Sequence, residues 1–251
     1  MSRIVCHFSC GAASAVAAKL ALAEFKPAHE VAIINAFIKE EHPDNQRFLR
    51  DCEKWFDHPV TQLMDLKYGA STDEVWRRAQ YIKGQNGASC TRALKARVLD
   101  PFRRPGDIDM LGYTAEEQWR LDGFQERFPD VSVRAPLIER GLTKADCLAM
   151  VERAGIELPA MYRLGYEHAN CVGCVKGGMG YWNKIRVDFP ERFETVAAIE
   201  QSIGPTAYLF YDKDAKRRFS LRELPPDAGR DEPLPEISCG LFCEAAEKEF
   251  A

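Results

Sequence analysis

Short apolar runs of strand length alternate with longer helical stretches over the first 155 residues of the chain. The runs predicted as strands are residues 4–8, 31–37, 60–64, 108–113 and 131–135. The stretches predicted as helices are residues 14–25, 46–56, 72–79, 91–99, 116–124 and 143–154, the last with Thr143 as its N-cap. Strands that alternate with helices form parallel sheets covered on both faces, so the pattern predicts an α/β fold.

The alternation weakens after about residue 155, and the chain divides into three predicted units. Residues 1–155 form the predicted α/β domain. Residues 156–224 form an extension that holds a Cys-x-x-Cys pair, a Gly-rich turn and a predicted helix over 190–203. Residues 225–251 begin with a Pro-rich stretch, which is typical of a linker, and end in a tail that contains further cysteines.

The composition is that of an ordinary globular protein, with 46% apolar and 29% charged residues. No uncharged apolar run is long enough to span a bilayer and the first residues lack a signal-peptide pattern, so we expect a cytoplasmic protein with no membrane partner. A net charge of -4 argues against a dedicated nucleic-acid binder, and small anionic ligands are the favoured partners. The nine cysteines are more typical of metal ligands or reactive thiols than of disulfides in such a protein.

The turn between the first predicted strand and helix has the character of a phosphate site. Ser9, Gly11 and Ser14 lie in a run of small residues where the helix dipole and free backbone N–H groups favour an anion. The two hydroxyls can donate hydrogen bonds to phosphate oxygens. The alternative is that small residues merely allow tight packing of strand against helix.

Two further segments carry a basic residue at a candidate site. Cys90 is predicted at the start of a helix, where the helix dipole favours a thiolate, and Lys95 follows on the same helix. Arg120 follows a predicted strand, at the sheet edge where open α/β folds bind ligands, and its guanidinium can bind a phosphate bidentately. The alternatives are a half-buried cysteine beside a solvated basic face, and an exposed Glu116–Arg120 helix pair.

The Cys171-Val-Gly-Cys174 segment is the strongest single chemical signal in the chain. A glycine between the two cysteines lets the backbone turn tightly enough for both sulfurs to bind one metal ion or cluster. A thioredoxin-like redox pair is less favoured, because that motif follows an early strand and this one lies late in the chain. A third interpretation is a pair of structural cysteines.

The tail carries Cys239 and Cys243 beyond the predicted linker. A thiol on a flexible segment can swing over a distant site, so Cys239 is a candidate nucleophile and Cys243 a resolving thiol or metal ligand. The spacing also permits a zinc knuckle made of these two cysteines with Cys171 and Cys174.

These motifs resemble those of the phosphoadenosine phosphosulfate (PAPS) reductase family, which belongs to the PP-loop, or adenine nucleotide alpha hydrolase-like, superfamily. Ser9, Gly11 and Ser14 match its Ser-x-Gly-x-x-Ser loop, and Cys90 with Lys95 is similar to its Cys-Cys-x-x-x-Lys region. Arg120 ends a segment similar to the family's Gly-x-Arg-x-x-(Glu/Gln)-Ser-x-x-Arg, and Cys239-Gly-Leu resembles its Glu-Cys-Gly-Leu-His tail.

The resemblance implies a sulfonucleotide reductase that binds an adenine nucleotide. Ser9, Gly11, Ser14, Lys95 and Arg120 would hold the phosphates, while Cys239 attacks the sulfonate sulfur and a thioredoxin-like reductant releases the product. It further implies a 4Fe-4S cluster held by Cys90, Cys171 and Cys174, with either another cysteine such as Cys243 completing the set or one iron left open.

Two departures keep other functions open. ATP-pyrophosphatases of the superfamily usually carry an Asp where this chain has Ala13, and Ser89 replaces the first cysteine of the family pair. One alternative is an iron–sulfur sulfurtransferase that activates a nucleobase in tRNA or DNA, with a cysteine desulfurase as its sulfur donor. The other is a nucleotide-binding module stabilised by zinc, in which basic stretches such as residues 213–218 would serve nucleic acid.

Overall fold

The computed structural model describes residues 2–84, 87–230, 235, 237 and 241–250. Five parallel strands form the central sheet in the order β3-β2-β1-β6-β7, and two antiparallel hairpins, β4-β5 and β8-β9, lie outside it. The strands are β1 (Ile4–His7), β2 (Val31–Ala36), β3 (Val60–Leu63), β4 (Lys83–Gly84), β5 (Gly87–Ala88), β6 (Ile108–Met110), β7 (Val133–Arg134), β8 (Phe210–Asp212) and β9 (Arg217–Phe219).

Helices cover the sheet, as the predicted α/β fold requires. They are α1 (Ala12–Phe25), α2 (Asp44–Phe56), α3 (Thr72–Ala79), α4 (Ser89–Thr91), α5 (Arg97–Leu99), α6 (Gln118–Arg127), α7 (Pro136–Glu139), α8 (Lys144–Arg153), α9 (Ala160–Arg163), α10 (Met179–Asp188), α11 (Pro190–Ile203) and α12 (Leu241–Glu247). One wide turn over Arg92–Ala96 continues α4 into α5, so the predicted helix 91–99 is present as three short pieces.

Local sequence explains where several helices begin. The Thr143 hydroxyl accepts the backbone N–H of Asp146, whose carboxylate accepts the N–H of Thr143 in return. This reciprocal cap confirms Thr143 as the N-cap of α8. Ser71 caps α3 in the same way with its hydroxyl, and Pro190 occupies the first turn of α11, where its missing N–H costs nothing.

The strand order reverses at β1 and β6, whose carboxyl ends lie side by side. Ile4 of β1 pairs with Val31 of β2 on one side and with Ile108 of β6 on the other. The chain therefore moves outward from β1 through β2 to β3 and then returns to β6, and such a reversal point is where open α/β sheets bind ligands. A Cβ on Gly112, just after β6, would lie 2.8 Å from the Cα of Ser14, so the two strand-end segments are in backbone contact.

Buried apolar side chains form two clusters. The first packs α1, α2 and α8 against one face of the sheet. The second joins residues of α3 and 82–94 to residues 161–224, and its largest members include Trp76, Leu94, Trp182, Phe193 and Leu221. An early segment of the chain is thus packed directly against the late segment that carries the Cys-x-x-Cys pair.

The described part of the tail is a helix that docks on α8. Arg153 forms an ion pair with Glu247 at 2.7 Å, and Arg140 pairs with Glu249, also at 2.7 Å. The predicted linker and tail therefore include a packed element. Within the described ranges, every helix is too short or too polar to cross a membrane.

Candidate functional site

The turn after β1 is closed by serine hydroxyl groups. The backbone N–H of Ser9 donates to Ser14 Oγ at 3.1 Å, and Ser14 Oγ donates to the carbonyl of Gly11 at 2.9 Å. Gly11, the N-cap of α1, has no side chain to cap the helix, but the Tyr162 hydroxyl hydrogen-bonds to the backbone of Ala12 in the first turn. That turn lacks an acidic residue. The remaining backbone N–H groups at the positive end of the helix dipole favour an anion.

Cys10 is a structural residue of this turn. Its backbone is left-handed, with φ of 57°, and its side chain is fully buried. The Asn35 side-chain amide donates to the Cys10 sulfur at 3.6 Å and to the carbonyl of Phe8 at 2.9 Å. Burial raises the pKa of the Cys10 thiol, so this cysteine stays neutral. These contacts hold the turn in a conformation that a non-glycine residue adopts only under constraint.

Cys90, Cys171 and Cys174 are neighbours in the fold. All three are half-buried, and each interacts electrostatically with the other two. Burial raises the pKa of the Cys171 thiol, and the other two thiols raise it further. Burial likewise raises the pKa of Cys90, with Cys174 as the second cause. Two segments that are far apart in sequence thus supply one group of thiols.

A network of fixed side chains shapes the Cys171–Cys174 turn. The Tyr181 hydroxyl accepts the backbone N–H of Cys174 at 2.9 Å and donates to the carbonyl of Cys171 at 3.1 Å. Gly173 has φ of 72°, and a Cβ there would lie 3.2 Å from both Arg192 and Trp182. The turn is therefore rigid, and glycine is required between the two cysteines.

Lys95 and Glu41 interact electrostatically with both the thiols and the first turn. Burial lowers the pKa of Lys95, but the Glu41 carboxylate and the three thiols outweigh that effect and raise it overall. Both Lys95 and Glu41 also influence the pKa of Cys10 in the first turn. The backbone of Glu41 forms a β-bridge with Cys171. Lys95 and Glu41 therefore interact both with Cys10 in the candidate phosphate turn and with the candidate metal site.

Two further lysines, Lys83 and Lys176, interact electrostatically with the thiols. Lys176 and Lys95 both lower the pKa of Cys90. Burial lowers the pKa of Lys83, although the nearby Cys174 opposes that shift. Positive charge is thus concentrated around the thiols of a chain whose net charge is -4. This positive charge favours bound anions and opposes the effect of burial on the thiol pKa values.

Arg120 lies on α6, in the segment that follows β6. Its side chain is 43% exposed, stacks over the Tyr113 ring at 4.5 Å and forms an ion pair with Glu117. The alternative from the sequence, an ion pair between Glu116 and Arg120, is wrong. The Glu116 carboxylate instead accepts the backbone N–H of Lys144 at 3.3 Å. A phosphate contact by Arg120 stays a prediction.

The structure does not bring Cys243 to the other candidate ligands. The Cys243 side chain is buried in the first apolar cluster, where its sulfur contacts Arg153 and the carbonyl of Asp146 on α8. The reason is the docking of α12 on α8, so we do not retain Cys243 as a metal ligand or as part of a zinc knuckle. Cys239, the predicted nucleophile, lies outside the described residues.

Sequence reasoning missed several residues of this region. Glu41 is the clearest case. It follows the carboxyl end of β2, and open α/β sheets bind ligands at the carboxyl ends of their strands, so its position in the sequence could have indicated it. Lys83 and Tyr181 gave no comparable signal, because they reach the site through tertiary packing. Trp76 is a further neighbour of Cys90 that the sequence did not indicate.

The donor set fits a soft metal centre in its chemistry. Three thiols are ligands that iron–sulfur clusters and zinc prefer. Among the described residues, no group of three or more His, Cys, Asp or Glu side chains is already arranged to hold a metal ion, so the thiols are close without being preassembled.

Comparison of the sequence with models of known protein families found no match, and comparison with curated proteins found none either.

Proposed function

We propose that this protein is a nucleotide-binding enzyme of sulfur metabolism, a sulfonucleotide reductase or a close relative. The observation that carries the proposal is the convergence of Cys90, Cys171 and Cys174 beside Lys95, which also interacts with Glu41 and the turn after β1. A thiol-rich site next to an anion-binding turn is what reduction of an activated sulfate requires. The family resemblance of the same residues supports the same conclusion.

The turn after β1 would hold the nucleotide phosphates. Backbone N–H groups at the start of α1 and the hydroxyls of Ser9 and Ser14 would donate to phosphate oxygens, and Gly11 lets them approach the backbone. The ammonium of Lys95 would neutralise the charge between phosphate and thiols. Arg120 would close over the ligand from the β6 side, where its exposed guanidinium is free of the core.

The three neighbouring cysteines would hold the metal centre. As thiolates they suit a 4Fe-4S cluster, with zinc as the alternative, and the lysines around them would balance its negative charge. When bound, a cluster would supply electrostatic stabilisation of the anionic substrate.

Cys239 would perform the covalent step. Its thiolate attacks the sulfonate sulfur, a sulfur–sulfur bond forms, the sulfur–oxygen bond to the phosphate breaks, and the nucleotide leaves with that electron pair. A thioredoxin-like dithiol then supplies two electrons, which release sulfite, restore the Cys239 thiol and oxidise the dithiol to a disulfide.

Anaerobic purification with iron and sulfide analysis tests the metal centre, and sulfite release from PAPS or its 3′-dephospho analogue with thioredoxin tests the reaction. The proposal predicts a brown protein with about four irons per chain and turnover that Cys239→Ser abolishes. Cys243→Ser is the matched control and should keep both the bound iron and the turnover. Stoichiometric zinc with no sulfide and no turnover would refute the reductase and favour the zinc-stabilised binding module.

A second candidate is the nucleotide-activating sulfurtransferase. The observation that favours it is that Cys90, Cys171 and Cys174 converge while Cys243 lies on α12 with its sulfur against α8, so three protein ligands leave one position open for sulfur. Ala13 counts against ATP activation. Sulfur transfer into tRNA or DNA, assayed with ATP and a cysteine desulfurase, would separate this candidate from the reductase, which uses neither.

A further inference from the structure

Trp76 of α3 carries a buried polar group that its surroundings do not satisfy. Its side chain is 1% exposed and belongs to the second apolar cluster. Within the part of the chain that the structure describes, the indole Nε1–H has no hydrogen-bond partner. Buried donors are nearly always paired, so this one calls for an explanation.

Cys90 lies on α4, which contacts α3, and it packs against the second apolar cluster that includes Trp76. Its sulfur is therefore a candidate acceptor, and the indole lowers the pKa of this thiol as a donor would, although burial raises that pKa overall. A neutral thiol is a weak acceptor. A metal-bound thiolate carries negative charge and is a much better acceptor.

A second contact ties Trp76 to the Cys171–Cys174 turn. The guanidinium of Arg192 lies over the Trp76 ring, 5.8 Å from its centre. Arg192 donates from Nε to the carbonyl of Val172 at 3.0 Å and pairs with Asp73 of α3 at 2.7 Å. Arg192 therefore contacts both the indole ring and the cysteine turn. A rotation of the Trp76 ring would disturb the contacts that Arg192 makes with α3 and with that turn.

We propose that Trp76 is a positioning residue of the metal centre, whose indole N–H donates a hydrogen bond to the Cys90 sulfur once that sulfur binds metal. The inference rests on the metal site of the proposed function and adds a residue to it. Partners of metal ligands typically change metal affinity by ten- to a hundredfold when they are removed. Trp76→Phe should therefore weaken metal binding while keeping the ring in the core.

Trp182 provides a matched control. It is also fully buried, and its Nε1 likewise has no partner among the described residues. It packs beside Gly173 of the cysteine turn. A general effect of removing a buried indole would appear in both variants, whereas a hydrogen bond to Cys90 would appear only in Trp76→Phe.

The test uses the full-length protein and Zn²⁺ as the probe, with affinity measured against a competing chelator. Trp76→Phe should bind Zn²⁺ about tenfold or more weakly than wild type, and Trp182→Phe should lose much less affinity. Equal losses in the two variants, or none in Trp76→Phe, would overturn the inference. A wild-type protein that binds neither Zn²⁺ nor iron would overturn the metal centre itself, which is a distinct result.

A measurement on the wild-type chain covers the case in which Trp76→Phe does not fold. The indole N–H resonance of Trp76, followed by nitrogen–proton NMR, should shift downfield and exchange more slowly with solvent when Zn²⁺ binds. The Trp182 resonance should change less. Unchanged Trp76 exchange at full Zn²⁺ occupancy would show that no such hydrogen bond forms.

Discussion

Glu200 makes the stability of the second apolar cluster depend on pH. Its side chain is fully buried, and its carboxylate accepts the backbone N–H groups of Leu209 and Leu221, each at 2.7 Å. Burial outweighs these bonds and raises the pKa of Glu200 from 4.5 to about 7. The folded protein therefore holds a proton that the unfolded chain has already released across this pH range.

The sign and size of the effect follow from that pKa. The contribution of Glu200 to stability is fully present below pH 4.5 and is lost as the pH rises through about 7. One pKa unit corresponds to about 1.4 kcal/mol, so we expect the free energy of unfolding to fall by about 2 to 3 kcal/mol between pH 5 and pH 8.

Urea unfolding at a series of pH values measures this, and Glu200→Gln is the control. The amide cannot ionise, so the variant should lose this pH dependence, although it is less stable overall because one N–H then faces the side-chain NH₂ group. The difference between wild type and variant removes the contribution of the histidines. If that difference is the same at pH 5 and pH 8, the reasoning about the buried carboxylate is wrong.

Three further predictions concern the site. Gly112→Ala should destabilise the protein by about 2 kcal/mol or more and abolish nucleotide binding, since its Cβ would lie 2.8 Å from the Ser14 backbone. A stable variant with normal nucleotide affinity in calorimetry would contradict the close contact. Tyr181→Phe should lower the free energy of unfolding, measured by thermal unfolding, by about 1 to 2 kcal/mol. It should also weaken Zn²⁺ binding, because the variant loses both hydrogen bonds to the backbone of the cysteine turn. Unaltered Zn²⁺ affinity would mean that the turn does not need these bonds. Cys174→Ser should lose bound metal on elemental analysis while Cys243→Ser keeps it, and the reverse result would place the metal at the tail.

The sequence predicted the elements with strong local signals. Residues 72–79 and 190–203 match α3 and α11 to the residue, because Ser71 and Pro190 mark where those helices begin. The five strands of the sheet were also predicted, although β6 and β7 are shorter than their apolar runs. Periodicity and caps are local properties, so a single sequence displays them.

Other elements depend on contacts that local sequence does not encode. The hairpins β4-β5 and β8-β9 have strands of two or three residues, too short for a periodic signal. The start of α10 lies directly after Gly177-Gly178, which is typical of a turn, and the helix forms because Trp182 and Ile185 are buried in the second cluster. The docking of α12 on α8 depends on ion pairs across more than 90 residues of sequence.

The candidate site likewise combines residues that the sequence indicates with residues that only the fold brings together. The turn from Ser9 to Ser14 and the Cys171–Cys174 pair are visible as motifs in the sequence. Their neighbours Glu41, Lys83 and Trp76 are not, because each reaches the site through the packing of a distant element. The family resemblance, rather than any spacing, implied that Cys90 would join the later cysteines.

The shared second cluster also sets the order in which the site can be built during synthesis. The turn after β1 and most of its cluster can form once residues 1–169 have emerged, since Cys243 and Ala246 are the only later members of that cluster among the described residues. Cys90 emerges early as well, but it packs against a cluster that extends to Leu224. We therefore expect the three thiols to be fixed together only when nearly the whole chain has been made, so a metal at the proposed centre would enter after synthesis. A chain truncated before α11 would keep the turn after β1 but expose the thiols.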